Sequence, residues 1–215
     1  MIDKKELAAL RQDYSQHELS KAIVAADPFD QFSKWFDETV SSQIVEPNAM
    51  HLGTATLDGR PSGRTVLLKG FDNLGFKFFT NYESAKSREL AANPSCYLHF
   101  LWKELERQVF IGGTATKTSE HESDEYFALR PYKSQLGAWA SEQSSVIESR
   151  DIIENRFEEL KAQYAEGSVP RPPLWGGFRV TPDRFEFWQG RRSRLHDRIY
   201  YELESGGWKI SRLSP

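Results

Sequence analysis

The spacing of apolar residues divides the chain into helical and strand-like stretches. Phe29, Phe32, Phe36 and Val40 recur at helical spacing, which predicts one apolar helix face. This helix should begin at Asp27-Pro28, because aspartate caps helix N-termini and proline suits the first helical position. A shorter, charged helix is predicted over residues 3–14.

From Met50 to about Thr118 the period approaches two, which predicts β-strands. The predicted strands cover 49–57, 63–71, 75–81, 95–102 and 107–117. Asp58-Gly59 and Asn73-Leu74-Gly75 are typical of tight turns, so the strands that they join should be antiparallel. Five such strands in succession favour a meander that closes toward a barrel.

The second half of the chain contains stretches of helical spacing and stretches of strand-like spacing. Helices are predicted at 119–130 and 144–166, and prolines 170, 172 and 173 indicate an extended linker. Further strands are predicted at 175–181, 183–189, 197–204 and 207–213. These last strands are too few to fold alone, so we expect one domain over 1–215. It would be mainly β with flanking helices, with an N-terminal segment 1–45 and C-terminal strands 175–215.

Composition narrows the class of protein. A formal net charge of −3 argues against a general nucleic-acid binder. The single cysteine, Cys96, excludes an intrachain disulfide and fits a reducing compartment. No apolar signal segment or membrane span is visible, so we expect a cytoplasmic protein.

Several common kinds of site are absent from the sequence. There is no G-x-G-x-x-G fingerprint, no Walker loop and no G-x-S-x-G elbow. The five histidines form no H-x-x-x-H pair, so no metal site is expected. Cys96 lies between apolar neighbours and is expected to be a buried structural thiol.

A basic segment, residues 187–198, is the strongest functional signal. It places four arginines and His196 directly after an aromatic, strand-like run. Arginine forks match phosphate oxygens, and a histidine can add a donor or a titrating group. A solvated basic turn between two strands explains the segment equally well, and a nucleic-acid patch is a weaker alternative.

Other polar groups lie where predicted strands and helices end. They are Arg64 and Lys69 around an apolar strand, Thr80 to Lys86 at a helix start, Gln108, the set Tyr126, Arg130 and Ser134, and Gln143-Ser144. Strand ends, caps and helix dipoles explain each group separately. Together they supply cations, amides and hydroxyls without paired catalytic carboxylates. This combination favours a site that binds phosphates and leaves the chemistry to a cofactor.

A series of longer motifs then carries a family resemblance. In chain order they are residues 64–69 (RTVLLK), 105–108 (LERQ), 130–139 (RPYKSQLGAW), 143–145 (QSS), 173–179 (PLWGGFR), 187–190 (FWQG) and 194–198 (RLHDR). The chain resembles the pyridoxamine 5′-phosphate oxidase family from about residue 11 to residue 215.

The resemblance implies a homodimer of FMN-binding split β-barrels, with antiparallel, Greek-key-like strands and with sites at the subunit interface. The residues implied for FMN are Arg64, Thr65, Val66, Leu67, Leu68, Lys69, Phe79, Thr80, Lys86, Gln108, Gln143, Ser144, Trp188 and Arg198, some of them from the partner subunit. Those implied for substrate are Lys69, Tyr126, Arg130, Ser134, Arg194, Leu195 and His196, with Arg11 and Tyr14 in a lid. Arg194 and His196 would lie at the reacting carbon.

The chain departs from the family pattern at one phosphate contact. Ala85 stands where the family usually has arginine. The loss of one charged hydrogen bond should weaken FMN binding by roughly 1.5–3 kcal/mol unless Arg88, one turn along, compensates. Arg191 and Arg192 match no motif role and are expected in a solvated turn.

The implied activity is oxidation of pyridoxamine 5′-phosphate and pyridoxine 5′-phosphate to pyridoxal 5′-phosphate, with O₂ reduced to H₂O₂. Split barrels support several functions, so a flavin- or pyridoxal-phosphate-binding protein without oxidase activity is the alternative. The presence of the substrate set favours the enzyme.

Overall fold

The computed structural model describes residues 3, 9 and 13–215, and the fold is mainly antiparallel β with flanking helices, as predicted. The helices are α1 (Pro28–Ser41), α2 (Ala85–Ala92), α3 (Glu120–Ala128), α4 (Tyr132–Ala140) and α5 (Asp151–Gln163). The strands are β1 (Ala49–Ala55), β2 (Pro61–Leu67), β3 (Gly70–Asp72), β4 (Gly75–Asn81), β5 (Ser95–Trp102), β6 (Arg107–Lys117), β7 (Trp175–Gln189), β8 (Asp197–Glu204) and β9 (Gly207–Leu213). The predicted helix over 3–14 falls almost entirely outside the described residues, and so does Arg11.

Helix α1 begins where the sequence predicts. The Asp27 carboxylate accepts a hydrogen bond from the Phe29 N–H at 2.7 Å, and Pro28 occupies the first turn. Phe32 and Trp35 are buried, whereas Val40 is half exposed. The buried face therefore includes Trp35 rather than Val40.

The strand order corrects the predicted meander. The order is β2-β1-β5-β6-β7-β4-β3, with β8 paired to β7 and β9 to β8. The pairs β1–β2 and β3–β4 are antiparallel hairpins, as their turn residues predict. β4, however, pairs with β7, which is distant in sequence. The prediction that successive strands are all neighbours is therefore wrong.

Several predicted boundaries also change. The strand predicted at 63–71 divides into β2 and β3, and those predicted at 175–181 and 183–189 form the single 15-residue strand β7. The helix predicted at 144–166 is the shorter α5, and α4 was not predicted.

The described residues form two compact units. The first holds residues through Pro47, His99–Ile111 and Asp183–Pro215, and the second holds Asn48–Leu98 and Gly112–Pro182. The single domain expected over 1–215 stays a prediction.

Each unit has its own buried aromatic residues. In the first unit Phe32, Phe185 and Tyr201 are fully buried. In the second, Phe76 and Phe78 are fully buried, and a separate apolar cluster comprises Phe127, Leu136, Ala140, Leu160, Val169 and Trp175. Among the described helices, none combines the length and the apolar character that crossing a bilayer requires.

Candidate active site

The second unit contains a cavity of about 1030 Å³. Its wall is built from strands β2 and β4, the start of α2, helices α3 and α4, and the segment before α5. The predicted site residues on this wall are Arg64, Thr65, Val66, Leu67, Lys69, Phe79, Thr80, Lys86, Tyr126, Arg130, Ser134, Gln143 and Ser144. Residues far apart in sequence are therefore brought together in one place.

Flat aromatic rings form one side of this cavity. The Phe79 and Tyr126 rings are stacked, with centroids 4.0 Å apart, and Trp175 is stacked 5.6 Å from Phe79. The Arg130 guanidinium lies 4.6 Å from the Trp175 ring centroid, within the range of a cation–π contact. Trp175 lies in the motif at residues 173–179, but the resemblance implies no site role for it, and an aromatic residue at a strand start is also typical of a core.

Arg130 has an unsatisfied donor on this wall. Its Nη1 is buried and has no hydrogen-bond partner among the described residues. Burial lowers the pKa of Arg130, and the nearby Tyr126 opposes this shift. A buried donor without an acceptor costs stability, and an anionic ligand would satisfy the Arg130 Nη1.

Lys86 also lines the cavity and, unlike the half-buried Arg130, is a buried cation. Its Nζ donates to Thr80 Oγ1 at 3.0 Å, Ser84 Oγ at 3.1 Å and Gln143 Oε1 at 3.3 Å. All three acceptors are uncharged. Burial, followed by the positive charge of Arg64, lowers its pKa to about 8. The ammonium group is thus hydrogen-bonded but forms no ion pair among the described residues.

Arg64 lies beside Lys86 and is more firmly held. Its Nη1 donates to Leu52 O at 3.3 Å and Thr54 Oγ1 at 2.5 Å. Its Nη2 donates to Ser62 Oγ at 2.7 Å and Glu89 Oε2 at 3.1 Å. The plane of the guanidinium is fixed by these four contacts.

The start of α2 completes this side of the cavity. The Ala85 N–H donates to Ser144 Oγ at 3.2 Å, and Ser144 has a φ of 72°. Gln143 and Ser144 do not cap the helix predicted from residue 144, because α5 begins only at Asp151. Arg88 donates to the Glu83 carbonyl and does not line the cavity, so the structure does not support compensation by Arg88 for Ala85.

The first unit carries a second cluster of predicted site residues, which we call the C-terminal cluster: Tyr14, Trp188 and His196. The Trp188 and His196 rings are 4.5 Å apart, and Tyr14 lies 5.9 Å from each of them. His196 Nδ1 accepts a hydrogen bond from the Arg191 N–H at 3.1 Å, so the neutral ring carries its proton on Nε2. Burial and the charge of Arg194 lower the pKa of His196, which favours this neutral form.

Comparison with known proteins decides the family. The family model described as pyridoxamine 5′-phosphate oxidase matches residues 36–164, more than half of the chain. The chain belongs to this family. A second model, described as the pyridoxine 5′-phosphate oxidase C-terminal dimerisation region, matches residues 175–215.

Individual relatives agree with the family models. The pyridoxine/pyridoxamine 5′-phosphate oxidase of Rubrobacter xylanophilus is 56% identical over 212 residues, which cover 99% of this chain and 98% of the relative. The enzyme of the same name from Paraburkholderia phymatum is 58% identical over 210 residues, covering 97% and 99%. Nearly the whole length of the chain is therefore shared with these relatives.

Solved structures place the fold. PhzG from Burkholderia lata, solved in complex with tetrahydrophenazine-1-carboxylic acid, has a TM-score of 0.86 at 31% identity and covers 90% of this chain and 95% of its own. A pyridoxamine 5′-phosphate oxidase-related, FMN-binding protein from Nostoc punctiforme has a TM-score of 0.73 at 16% identity, covers 89% and 100%, and shows the fold alone. The predicted split-barrel fold class is confirmed.

The remaining residues implied by the family resemblance occupy varied positions. Leu68 is buried and absent from the cavity lining, and Gln108 Oε1 lies 3.0 Å from His99 Nε2. Arg194 and Leu195 are exposed, and Arg194 has a φ of 62°. Arg198 forms a bidentate ion pair with Glu186, in which Nε donates to Oε1 at 2.7 Å and Nη2 donates to Oε2 at 3.0 Å. Its guanidinium is therefore already engaged within the first unit.

The two arginines expected in a solvated turn differ. Arg192 is exposed, in agreement with that expectation. Arg191 is instead half-buried, and donates to Glu18 Oε1 at 2.7 Å and to His17 O at 3.1 Å. It joins the segment after Tyr14 to the basic segment, a contact that sequence spacing could not reveal.

Proposed function

We propose that this protein is an FMN-dependent oxidase that converts pyridoxamine 5′-phosphate and pyridoxine 5′-phosphate to pyridoxal 5′-phosphate. The observation that carries the proposal is a pair of cations that line one cavity: Lys86 is buried, and Arg130 is half-buried with a buried, unpaired Nη1. Neither has a carboxylate partner among the described residues. Two phosphorylated molecules, a cofactor and a substrate, would supply the missing negative charges.

The residues on one side of the cavity fit a flavin phosphate. Arg64 and Lys86 supply positive charge, and the start of α2 adds the dipole of a helix N-terminus. Gln143 and Ser144 add an amide and a hydroxyl. Thr65, Val66, Leu67, Lys69, Phe79 and Thr80 line the same cavity, and we assign them to FMN as well. The buried cation without an ion pair, Lys86, is the feature that an anionic cofactor would explain.

A second group of cavity-lining residues fits the substrate phosphate. Lys69 Nζ lies 5.9 Å from the Tyr126 ring centroid. Arg130 and Ser134, which follow Tyr126 closely in the sequence, line the same cavity. The unsatisfied Nη1 of Arg130 would donate to a phosphate oxygen. The stacked Phe79, Tyr126 and Trp175 rings provide a flat apolar surface of the kind that heteroaromatic ligands need.

A homodimer is part of the proposal. The dimerisation-region model covers 175–215, and this range includes Trp188, Arg194, His196 and Arg198. We place FMN at the subunit interface, where the C-terminal cluster, Arg198 and Gln108 complete the site, some of them from the partner subunit. Arg198 would have to exchange part of its pairing with Glu186 for the cofactor.

Catalysis would depend mainly on positioning and electrostatics. FMN, when bound, supplies the hydride-accepting chemistry at the substrate C4′ and the reduction of O₂ to H₂O₂. Arg194 and Leu195, together with Tyr14, would orient the substrate and exclude water. Neutral His196 would offer its Nε2–H as a donor near the reacting carbon. We also propose a cytoplasmic location, because a content of one cysteine fits a reducing compartment.

A purified sample tests the proposal. It should show a flavin spectrum and, on addition of pyridoxamine 5′-phosphate in air, form the aldehyde and peroxide. A flavin spectrum without turnover would instead favour the non-catalytic flavin-binding alternative. Absence of flavin binding, even after FMN is added, would refute the proposal.

A further inference from the structure

Glu89 is a carboxylate that does not line the cavity but contacts Arg64, which does. It lies on α2, and its Oε2 accepts hydrogen bonds from Thr54 Oγ1, from Ser62 Oγ at 2.6 Å and from Arg64 Nη2 at 3.1 Å. Its side chain is 17% exposed. Three donors from two strands thus converge on one oxygen of a mostly buried carboxylate.

This carboxylate holds a network around Arg64. Thr54 and Ser62 bond to Glu89 and also accept from the two terminal nitrogens of Arg64. The Arg64 Nε–H makes no hydrogen bond among the described residues, so it remains available to a ligand. Arg64 lines the cavity, whereas Glu89 does not. The network therefore holds the guanidinium through its two terminal nitrogens, and the Nε–H is left without an acceptor among the described residues.

Glu89 also balances the charge of the two cations. Arg64 lowers the pKa of Lys86, and Glu89, one helical turn after Lys86, opposes that effect. Hydrogen bonds from Ser62, Thr54 and Arg64 outweigh the burial of Glu89 and lower its pKa, so it is ionised at neutral pH. No carboxylate lines the cavity itself among the described residues, and a bound anion would face Arg64 and Lys86 with Glu89 behind them.

We propose that Glu89 is a positioning residue that holds the Arg64 guanidinium in the orientation needed to bind the flavin phosphate. This inference rests on the proposed function. A side chain already held in its bound orientation loses less conformational entropy on binding, so ligand affinity rises. If Glu89 acted only through its charge, its removal would tighten the binding of a phosphate, because like charges repel. The two explanations therefore predict opposite changes in FMN affinity when Glu89 is removed.

The test compares three variants of the full-length, flavin-free protein with the wild type. Glu89→Ala removes the anchor, and Glu89→Gln keeps an acceptor oxygen but removes the charge. Glu83→Ala is the matched control, because Glu83 is an exposed carboxylate just before α2 whose side chain makes no hydrogen bond among the described residues. The dissociation constants for FMN and for riboflavin, which lacks the phosphate, are measured by flavin fluorescence.

Glu89→Ala should raise the dissociation constant for FMN about tenfold, the effect of one weakened charged hydrogen bond, and leave that for riboflavin unchanged. Glu89→Gln and Glu83→Ala should bind FMN as the wild type does. Unchanged or tighter FMN binding by Glu89→Ala would overturn the inference. So would equal losses of FMN and riboflavin affinity, which indicate a general structural defect. Failure of the wild type to bind FMN would overturn the proposed function as well.

Discussion

Replacing Lys86 by methionine should change stability and cofactor affinity in opposite directions. Lys86→Met keeps most of the side-chain length and removes the buried charge. The acceptors that surround Nζ keep other partners, because Thr80 bonds to Gln143 at 3.0 Å and Ser84 bonds to Ser87 at 3.0 Å. Few polar groups are therefore left unsatisfied by the substitution.

The size of the stability effect follows from the pKa of Lys86. The fall from 10.5 to about 8 corresponds to about 3 kcal/mol of destabilisation of the charged form in the folded protein. With some hydrogen bonding lost, flavin-free Lys86→Met should be about 1–3 kcal/mol more stable than the wild type at pH 7. Its dissociation constant for FMN should rise by roughly 10- to 100-fold, because a charged contact to the phosphate is lost.

The pH dependence gives a second signature. Between pH 8 and pH 10.5 the unfolded wild type binds more protons at Lys86 than the folded protein does, so its stability should rise with pH in that window. Over the same window FMN affinity should fall as Lys86 loses its proton. Lys86→Met should lack both effects.

Urea unfolding of the flavin-free full-length chain and FMN titration from pH 7 to pH 10 measure these quantities. A strongly destabilised Lys86→Met protein, or one that binds FMN like the wild type, would refute the reasoning that Lys86 is buried for a ligand anion.

Four further substitutions test other parts of the account. Arg194→Ala should depress turnover far more than FMN content, and equal losses of both would contradict the division of roles between substrate and cofactor. Arg130→Lys should raise KM for pyridoxamine 5′-phosphate about tenfold at unchanged FMN content, since lysine lacks the planar fork; an unchanged KM in steady-state assays would count against a phosphate contact. Ala85→Arg should lower the dissociation constant for FMN about tenfold by restoring the usual family contact, and no gain on titration would argue against it. Leu136→Ala should cost about 2–5 kcal/mol in urea unfolding, because Leu136 is fully buried in the apolar cluster, and a loss well under that range would contradict close packing there.

Local signals in the sequence predicted the elements that depend on local physics. Asp27-Pro28 fixed the start of α1, and Asp58-Gly59 marked the β1–β2 hairpin. The break predicted between residues 181 and 183, by contrast, does not occur. β7 pairs with β4 up to Val180 and with β8 from Arg184, so Pro182 lies between two ladders, where a missing N–H is tolerated. Partner exchange of this kind is not visible in sequence periodicity.

In the candidate site, too, some residues can be predicted from the sequence and others depend on long-range packing. Motif resemblance selected Arg64, Lys86 and Arg130, which line one cavity. It implied no site role for Trp175, which contributes a ring to the stack, or for Glu89, which acts through Arg64. Long-range packing brings both residues to the site, and single-sequence patterns carry little information about such contacts.

An anaerobic half-reaction tests the central claim most directly. When pyridoxamine 5′-phosphate is added to the FMN-loaded protein without oxygen, the visible flavin absorbance should disappear, and one pyridoxal 5′-phosphate should form per flavin. Admission of air should restore the absorbance and release peroxide. A flavin spectrum that stays unchanged by either phosphorylated substrate would contradict the account.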